Sequence, residues 1–274
     1  LRILARRTDG YHDIETIFQE ISLTDRLEFR PAQEWRLTCS DVQLDCGEGN
    51  LVTRAALELA QATGYPLKAA VHLEKHIPVG SGLGGGSSNA AVTLLGLRRL
   101  WNLEIPLSVL HQIASQIGAD CSFFLQGGLA WANERGDRLE WADGAIEGAV
   151  VLVMPGISVG TKWAYENATK ALTNREKSYI LKGCIFQSDP LPTLQVLATN
   201  DFEPAVFHRF PKLREIKQQL YGVGAELAAL SGSGGALFGI FRQRSQADEA
   251  EALFQSYYRT LICSPIARAR VPHG

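Results

Sequence analysis

Five glycines fall within the seven residues from Gly80 to Gly86, in the run Pro78-Val79-Gly80-Ser81-Gly82-Leu83-Gly84-Gly85-Gly86-Ser87-Ser88-Asn89-Ala90. Backbone of this kind takes positive φ without strain and lets another group approach closely, at an entropic cost that a passive turn has little reason to carry. The flanks place it between two regular elements. Ala69 to Ile77 alternates apolar and polar positions, which predicts a half-buried strand ended by Pro78. From Ala90, the residues Ala90, Leu94, Leu97 and Trp101 recur at helical spacing, with Ala91 and Leu95 widening the apolar face and Arg98 and Arg99 near the end. Ser87 and Ser88 are the expected N-caps of that helix. A glycine loop that opens a helix offers free N–H groups and the positive end of a dipole, which together favour a bound phosphate.

Three phosphate-loop chemistries compete for this run. A Walker-type loop needs Lys-Ser or Lys-Thr after its last glycine, and Ser87-Ser88-Asn89 stand there instead. Gly80, Gly82 and Gly85 match the G-x-G-x-x-G spacing of a dinucleotide turn, and Glu104 lies near the offset of a ribose-binding acid. That acid should follow a second strand, for which Asn102 to Pro106 leaves no room. A nucleoside triphosphate held by backbone amides and a helix N-terminus fits the flanks, with a ligand-free glycine turn as the bland alternative.

Length and composition bound the rest. The chain has 274 residues, 46% hydrophobic and 20% charged, with a formal net charge of -2. It is long enough for two domains, expected at 1–148 and 149–274, and its neutrality argues against a nucleic-acid or membrane surface. Cys39, Cys46, Cys121, Cys184 and Cys263 are scattered without C-x-x-C pairing and read as reduced thiols of a cytoplasmic protein. Leu1 to Leu4 reads as the tail of a strand that begins earlier, so the sequence is expected to be a fragment or processed form.

Elsewhere, Ile14 to Leu23 and Leu27 to Phe29 suggest a strand pair joined at Thr24-Asp25, and Leu37 to Leu44 another strand. Helices are expected at Asn50 to Ala62, Leu107 to Ile117 (stopped by Gly118), Thr161 to Ala171 and Pro211 to Tyr221, with a polar stretch from Thr173 to Asp189. Gly127 to Ala132 reads as a turn and strand, and Ala149 to Met154 as a fully buried strand. A second glycine cluster, Ser231 to Gly235, precedes the strand-like Ala236 to Phe241. It is either a hairpin turn or a backbone approach to the same ligand.

Transfer of a phosphoryl group needs a group to receive the acceptor's proton, commonly a carboxylate. Asp120, after the helix stop and beside Phe123-Phe124, is the candidate, with a turn-capping role as its alternative; Asp9, Asp13, Asp137 and Asp143 also occupy turn-like settings. Tyr11 and His12 follow the turn signal Thr8-Asp9-Gly10 and are either plain surface residues or a base-contacting pair.

Taken together, Asp9-Gly10-Tyr11-His12, Gly82 to Ala90, Gly118-Ala119-Asp120 and the Ser231 to Gly235 cluster resemble the motifs of the galactokinase, homoserine kinase, mevalonate kinase and phosphomevalonate kinase superfamily. Within it the chain is most similar to the 4-diphosphocytidyl-2-C-methyl-D-erythritol kinases of the non-mevalonate isoprenoid pathway, from Leu1 to about Phe241. The resemblance implies a two-domain α+β fold with the active site in the cleft between domains. It implies ATP-dependent phosphorylation of the 2-hydroxyl of 4-(cytidine 5'-diphospho)-2-C-methyl-D-erythritol by a monomer or weak homodimer. By it, Asp120 is the catalytic base, Pro78 to Ser88 the ATP phosphate loop, and Asn50 and Lys75 lie near the nucleotide. Tyr11 stacks on the cytosine, His12 hydrogen-bonds it, Thr161 contacts substrate and Tyr165 is a second aromatic across the base. Magnesium accompanies ATP with no protein ligand assigned, because Gly85 and Gly86 stand where relatives place serines. The family's Pro-Ala-Lys-Ile-Asn-like opening strand would lie before Leu1. A homoserine- or mevalonate-type kinase, or a non-catalytic nucleotide-binding module, are the alternatives; an acceptor without a base has no use for Tyr11, His12 and Tyr165.

Overall fold

A computed structural model describes residues 1–168, 179–197 and 199–268. The fold is α+β, and the chain divides into two compact units built from non-contiguous segments. One, the helical unit, comprises Leu23–Val79 and Gly84–Gln126; the other, the sheet unit, comprises Leu1–Ser22, Gly80–Leu83 and the chain from Gly127 onward. These units cut the chain differently from the consecutive division at 148/149.

The helical unit holds β3 (Arg26–Arg30), β4 (Arg36–Cys39) and β5 (Ala70–Glu74) in the order β3-β5-β4, with β3 antiparallel and β4 parallel to β5. Val71 and Leu73 of β5 are buried while His72 between them is exposed, the alternation the sequence predicts. Four helices accompany the sheet: α1 (Leu51–Thr63), α2 (Gly85–Leu100), α3 (Leu107–Ile117) and α4 (Cys121–Phe124). Their apolar faces meet in one core of Ala55, Leu59, Ala90, Leu94, Leu97, Leu110 and Ile117. Asn50 caps α1, its side chain accepting from the Val52 amide at 2.9 Å.

Three expectations are corrected here. The segments before and after Thr24-Asp25 do not pair: β3 joins β5, whereas the preceding strand belongs to the sheet unit, because partner choice is set by long-range packing rather than by the turn. Strand β4 stops at Cys39 rather than Leu44; beyond it Asp41 and Asp45 fold the chain into Asx turns, accepting from the amides of Gln43 and Gly47. Helix α2 begins at Gly85, inside the glycines, with Gly84 at φ +70° as its N-cap and no side-chain cap; Ser88 instead donates to the Gly85 carbonyl. The stop at Gly118 is in extended backbone, φ -175°, which any residue adopts.

The sheet unit contains two antiparallel four-stranded sheets. The first runs β1 (Arg2–Arg6), β2 (His12–Gln19), β6 (Leu129–Asn133) and β7 (Arg138–Ala142) in the order β1-β2-β6-β7. The second runs β11 (Arg259–Cys263), β8 (Ala149–Met154), β10 (Leu237–Phe241) and β9 (Leu227–Leu230) in the order β11-β8-β10-β9. Strand β8 is interior and buried from Val150 to Met154, as its continuous apolar run predicts. Among the described residues the unit's helices are α5 (Thr161–Ala168), α6 (Leu191–Leu197), α7 (Glu203–Arg209), α8 (Pro211–Gly222) and α9 (Arg244–Phe254). Ile3, Ile14, Val151, Val153, Phe202, Leu213, Phe241 and Phe254 share its core. The continuation of α5 expected to Ala171, and the polar stretch from Thr173 up to 178, lie outside the described residues.

One buried acid ties distant parts of the sheet unit together. Glu15 on β2 is fully buried and pairs with Arg2 at 2.9 Å, accepts from the Trp131 indole at 3.0 Å, and takes the Leu181 amide at 2.7 Å. A buried carboxylate persists only when its lone pairs are used in this way.

Gly96 marks a tight contact in the helical unit. A Cβ there would stand 2.5 Å from the Phe29 ring on β3, so α2 lies directly on the sheet. Gly96→Ala improves helix propensity by about 1 kcal/mol but overpacks the interface at a cost of about 1–3 kcal/mol. A net loss of stability in urea unfolding is therefore expected, and a more stable variant would contradict this packing.

Candidate active site

The glycine loop divides between the two units, Gly80–Leu83 in the sheet unit and Gly84 onward in the helical unit. In the helical unit, Gly84 takes φ +70° and a Cβ on it would stand 2.7 Å from the Phe124 ring. Helix α4 is thus seated against the start of α2. The Ser87 hydroxyl adds a hydrogen bond to the Cys121 thiol, whose pKa burial pushes up to about 11. The first helical bond of α2 is from Ser88 N–H to Gly84 C=O. The amides of Gly85, Gly86 and Ser87 precede that bond and have no partner among the described residues, which is the anion-binding end of a helix.

Asp120 stands at the N-cap position of α4, yet its side chain makes no capping bond, so the capping alternative is not realised. Its carboxylate has no hydrogen-bond or ion-pair partner among the described residues, it is partly exposed, and burial raises its pKa above the ordinary carboxylate value. The competing aspartates differ. Asp9 and Asp13 are both paired with Arg7, Asp137 is paired with Arg135, and Asp143 is exposed.

Beneath the loop lies a residue that the sequence reading treats only as turn chemistry. The Asp25 carboxylate accepts from Lys75 Nζ at 2.6 Å, the His76 amide at 2.6 Å, the Ile77 amide at 2.7 Å and Asn89 Nδ2 at 2.8 Å. Burial by itself raises its pKa, but the bonds from Ile77, Lys75, His76 and Asn89 outweigh burial and hold it below the ordinary value. The stabilisation is present above the ordinary carboxylate range and is lost only as pH falls through the depressed pKa. Lys75, expected near the nucleotide, has its ammonium buried in this pair and also donates to the Ile77 carbonyl. Asn50, expected there too, is engaged as the α1 cap and donates to the Asp45 carbonyl.

In the sheet unit the other half of the loop meets the second glycine cluster. Ser231 to Gly235 forms the hairpin between β9 and β10, and Ser231 Oγ donates to the Gly82 carbonyl at 2.9 Å. The Ala236 amide donates to the Ser81 carbonyl at 3.0 Å. At Gly82, φ is +81° and a Cβ would lie 2.0 Å from the Ser231 carbonyl oxygen, so both conformation and space require glycine. Asn200, buried, holds the hairpin from below by donating to the carbonyls of Leu230 and Gly232, each at 2.8 Å. Thr161, the first residue of α5, accepts from Ser233 Oγ at 3.2 Å. At the loop's start, Val79 is exposed and Gly80 lies against Ser158, whose Oγ would stand 2.3 Å from a Cβ.

The expected base-contacting residues also lie in the sheet unit. His12 stacks on Tyr165, centroids 4.9 Å apart and planes 13° from parallel, and Tyr165 meets the Phe202 ring edge-on. Burial, reinforced by the nearby Arg6 charge, lowers the His12 pKa. Its Nε2 is buried without a hydrogen-bond partner among the described residues. Tyr11 is exposed, its amide fixed by Asp9 Oδ1 at 3.1 Å, and the Arg135 guanidinium sits 5.3 Å from its ring centroid. His12, rather than Tyr11, is therefore the ring found against Tyr165.

Residues 50–128 match the family model described as GHMP kinases N terminal domain, and residues 189–260 the model for the GHMP kinases C terminal domain. A 4-diphosphocytidyl-2-C-methyl-D-erythritol kinase from Prosthecochloris aestuarii is 41% identical over 263 residues, 94% of this chain and 91% of that protein. A solved 4-(cytidine 5'-diphospho)-2C-methyl-D-erythritol kinase superposes with a TM-score of 0.78 at 30% identity, covering 96% of this chain and 94% of the other. A homoserine kinase from Cytophaga hutchinsonii reaches 0.73 at 18% identity, covering 92% and 89%, and so shares the fold. The chain belongs to the GHMP kinases and, within them, to the 4-diphosphocytidyl-2-C-methyl-D-erythritol kinase family.

Proposed function

We propose that this enzyme transfers the γ-phosphoryl group of ATP to the 2-hydroxyl of 4-(cytidine 5'-diphospho)-2-C-methyl-D-erythritol, supplying the non-mevalonate isoprenoid pathway. The observation that carries the reading is the joining, in one compact unit, of a helix N-terminus with three free amides to a partnerless carboxylate of raised pKa, in a chain 41% identical to a kinase of that name.

The acceptor hydroxyl oxygen attacks the γ-phosphorus, the bond to the β–γ bridging oxygen breaks, and ADP leaves. The hydroxyl proton passes to Asp120. Charge developing on the phosphoryl oxygens meets the amides of Gly85, Gly86 and Ser87 and the α2 dipole, each well-placed donor contributing about 3 kcal/mol. The rest of Pro78 to Ser88 shapes the cradle, and Asn50 and Lys75 act at its border. Among the described residues no cluster of three or more His, Cys, Asp or Glu could hold a metal. Magnesium would come with the ATP phosphates, whose oxygens suit it, and would neutralise their charge. His12 Nε2 supplies an unsatisfied polar atom for the cytosine edge, Tyr11 and Tyr165 its aromatic faces, and Thr161 a hydroxyl for the substrate.

Two consecutive sequence domains, 1–148 and 149–274, remain part of this proposal, supported by separate family matches on either side of the boundary. A reducing cytoplasm suits the five cysteines, all free thiols.

Coupled assay of ADP release is expected to show turnover with the cytidine diphosphate acceptor and none with homoserine or mevalonate. Comparable turnover of either competitor, or none with any acceptor, defeats the assignment. Asp120→Asn should lower kcat by about 10²- to 10⁴-fold while calorimetric ATP affinity holds. In the wild type, Asp120 must be ionised to accept a proton, so kcat/KM should fall as pH drops through a pKa above the usual ~3.9, a limb absent from Asp120→Asn. Tyr165→Ala should raise the acceptor KM about tenfold through lost stacking and leave the ATP KM unchanged; the reverse pattern would remove Tyr165 from the acceptor site.

A further inference from the structure

We propose that Asp25 is a positioning residue for the ATP phosphates, its carboxylate bolting the chain that enters the phosphate loop, at Lys75 to Ile77, to the helix that leaves it, at Asn89. This inference rests on the kinase reading above and concerns how the nucleotide end is held.

The geometry has two arms. On the entry side, Lys75 Nζ and the amides of His76 and Ile77 converge on Asp25, the last three residues before Pro78. On the exit side, Asn89 Nδ2 reaches the same carboxylate at 2.8 Å from within the second turn of α2. The carboxylate is almost wholly buried, 1% exposed, and Lys75 is 7% exposed, so water does not compete for these bonds. Lys75 Nζ also underlies the helix start: a Cβ on Gly85 would lie 3.2 Å from it. The amides of Gly85, Gly86 and Ser87 therefore take their direction from a backbone pinned at both ends by one acid. The Asp25 carboxylate is taken up by these four bonds and is not offered at the surface. Its effect passes through the orientation of those amides, where a misplacement of about 1 Å costs on the order of 10²-fold.

The sequence hides this arrangement because its members are spread over residues 25, 75 to 77 and 89, with Asp25 beside a threonine in what reads as an ordinary turn. Asparagine at position 25 would keep one acceptor oxygen and lose the charge that pairs with Lys75.

The test is steady-state kinetics and ATP calorimetry on the full chain with Asp25→Asn. A rise in the ATP KM and Kd of about tenfold, with the acceptor KM unchanged and cooperative unfolding retained, is expected. A merely structural role would lower the active fraction and apparent kcat without moving the ATP constants, and that result overturns the proposal. Should Asp25→Asn fail to unfold cooperatively, Asn89→Ala is decisive. It cuts only the arm to α2, and a several-fold rise in the ATP constants supports the inference while an unchanged value rejects it. If wild-type protein binds ATP but turns over no acceptor, the kinase assignment fails, and the calorimetric comparison still decides the role of Asp25.

Discussion

Main chain packed directly on main chain is the constraint that the glycine loop and its surroundings depend on. Gly82 and the Ser231 to Gly235 hairpin are 149 residues apart at their hydrogen bond, yet approach so closely that no side chain fits between them. The consequence is a division of labour among the glycines. Those at positions 80 and 82 serve the packing of the sheet unit, whereas those at 84, 85 and 86 shape a helix start. A run that reads in sequence as one ligand-binding device is thus two devices joined end to end. The second offers its free amides at a helix start. The glycine cluster at 231–235 is explained in the same terms: it is a hairpin turn, and the backbone it approaches is that of the first cluster.

A nearly neutral chain must still hold a polyanion, and the way it does so follows from where its charges are used. Lys75 is the lysine or arginine closest in sequence to the glycine loop, but its ammonium is buried against Asp25, and the pair is net neutral. It stiffens the backbone more than it attracts phosphate. Under the proposed function, attraction then falls to oriented peptide dipoles, which need no desolvation of a side-chain charge and are already aligned before the ligand arrives. Rigidity is what such a site requires, since dipoles gain little unless they are fixed. The four bonds to Asp25 and the seating of Phe124 and Cys121 against the start of α2 supply it.

Local periodicity made much of the fold legible. The alternation of β5, the unbroken apolar run of β8 and the helical spacing of α2, α3 and α8 each carry their assignment within a few residues. What is absent from such patterns is partnership. Nothing near Thr24-Asp25 indicates that β2 and β3 enter different sheets, because each strand's register is decided by residues far along the chain. The same reason hides the Asp25 network and Glu15, whose acceptors and donors are gathered only by folding. Helix α2 begins early because a left-handed glycine can serve as its N-cap, a conformation that a preference for serine caps does not anticipate.

The choice of Asp120 among five aspartates illustrates what environment adds to residue type. As letters the five are equivalent, each in a turn-like setting. In the fold, Asp9, Asp13 and Asp137 are spent on arginines and Asp143 stands in solvent, which leaves Asp120 as the one of the five that is both partly enclosed and without a partner. A base needs those two properties together: a free lone pair to receive the proton, and a pKa raised toward that of the acceptor. His12 obeys the same logic on the other compact unit. Its Nε2 is the buried side-chain polar atom left without a hydrogen bond among the described residues. The other buried side-chain polar groups among the described residues are satisfied, Glu15 and Asn200 among them, so an unsatisfied one is a cost the fold does not generally carry. Under the proposed function, a substrate that supplied the missing bond would recover that cost on binding, and the incomplete hydrogen-bond inventory of His12 would become affinity for the acceptor.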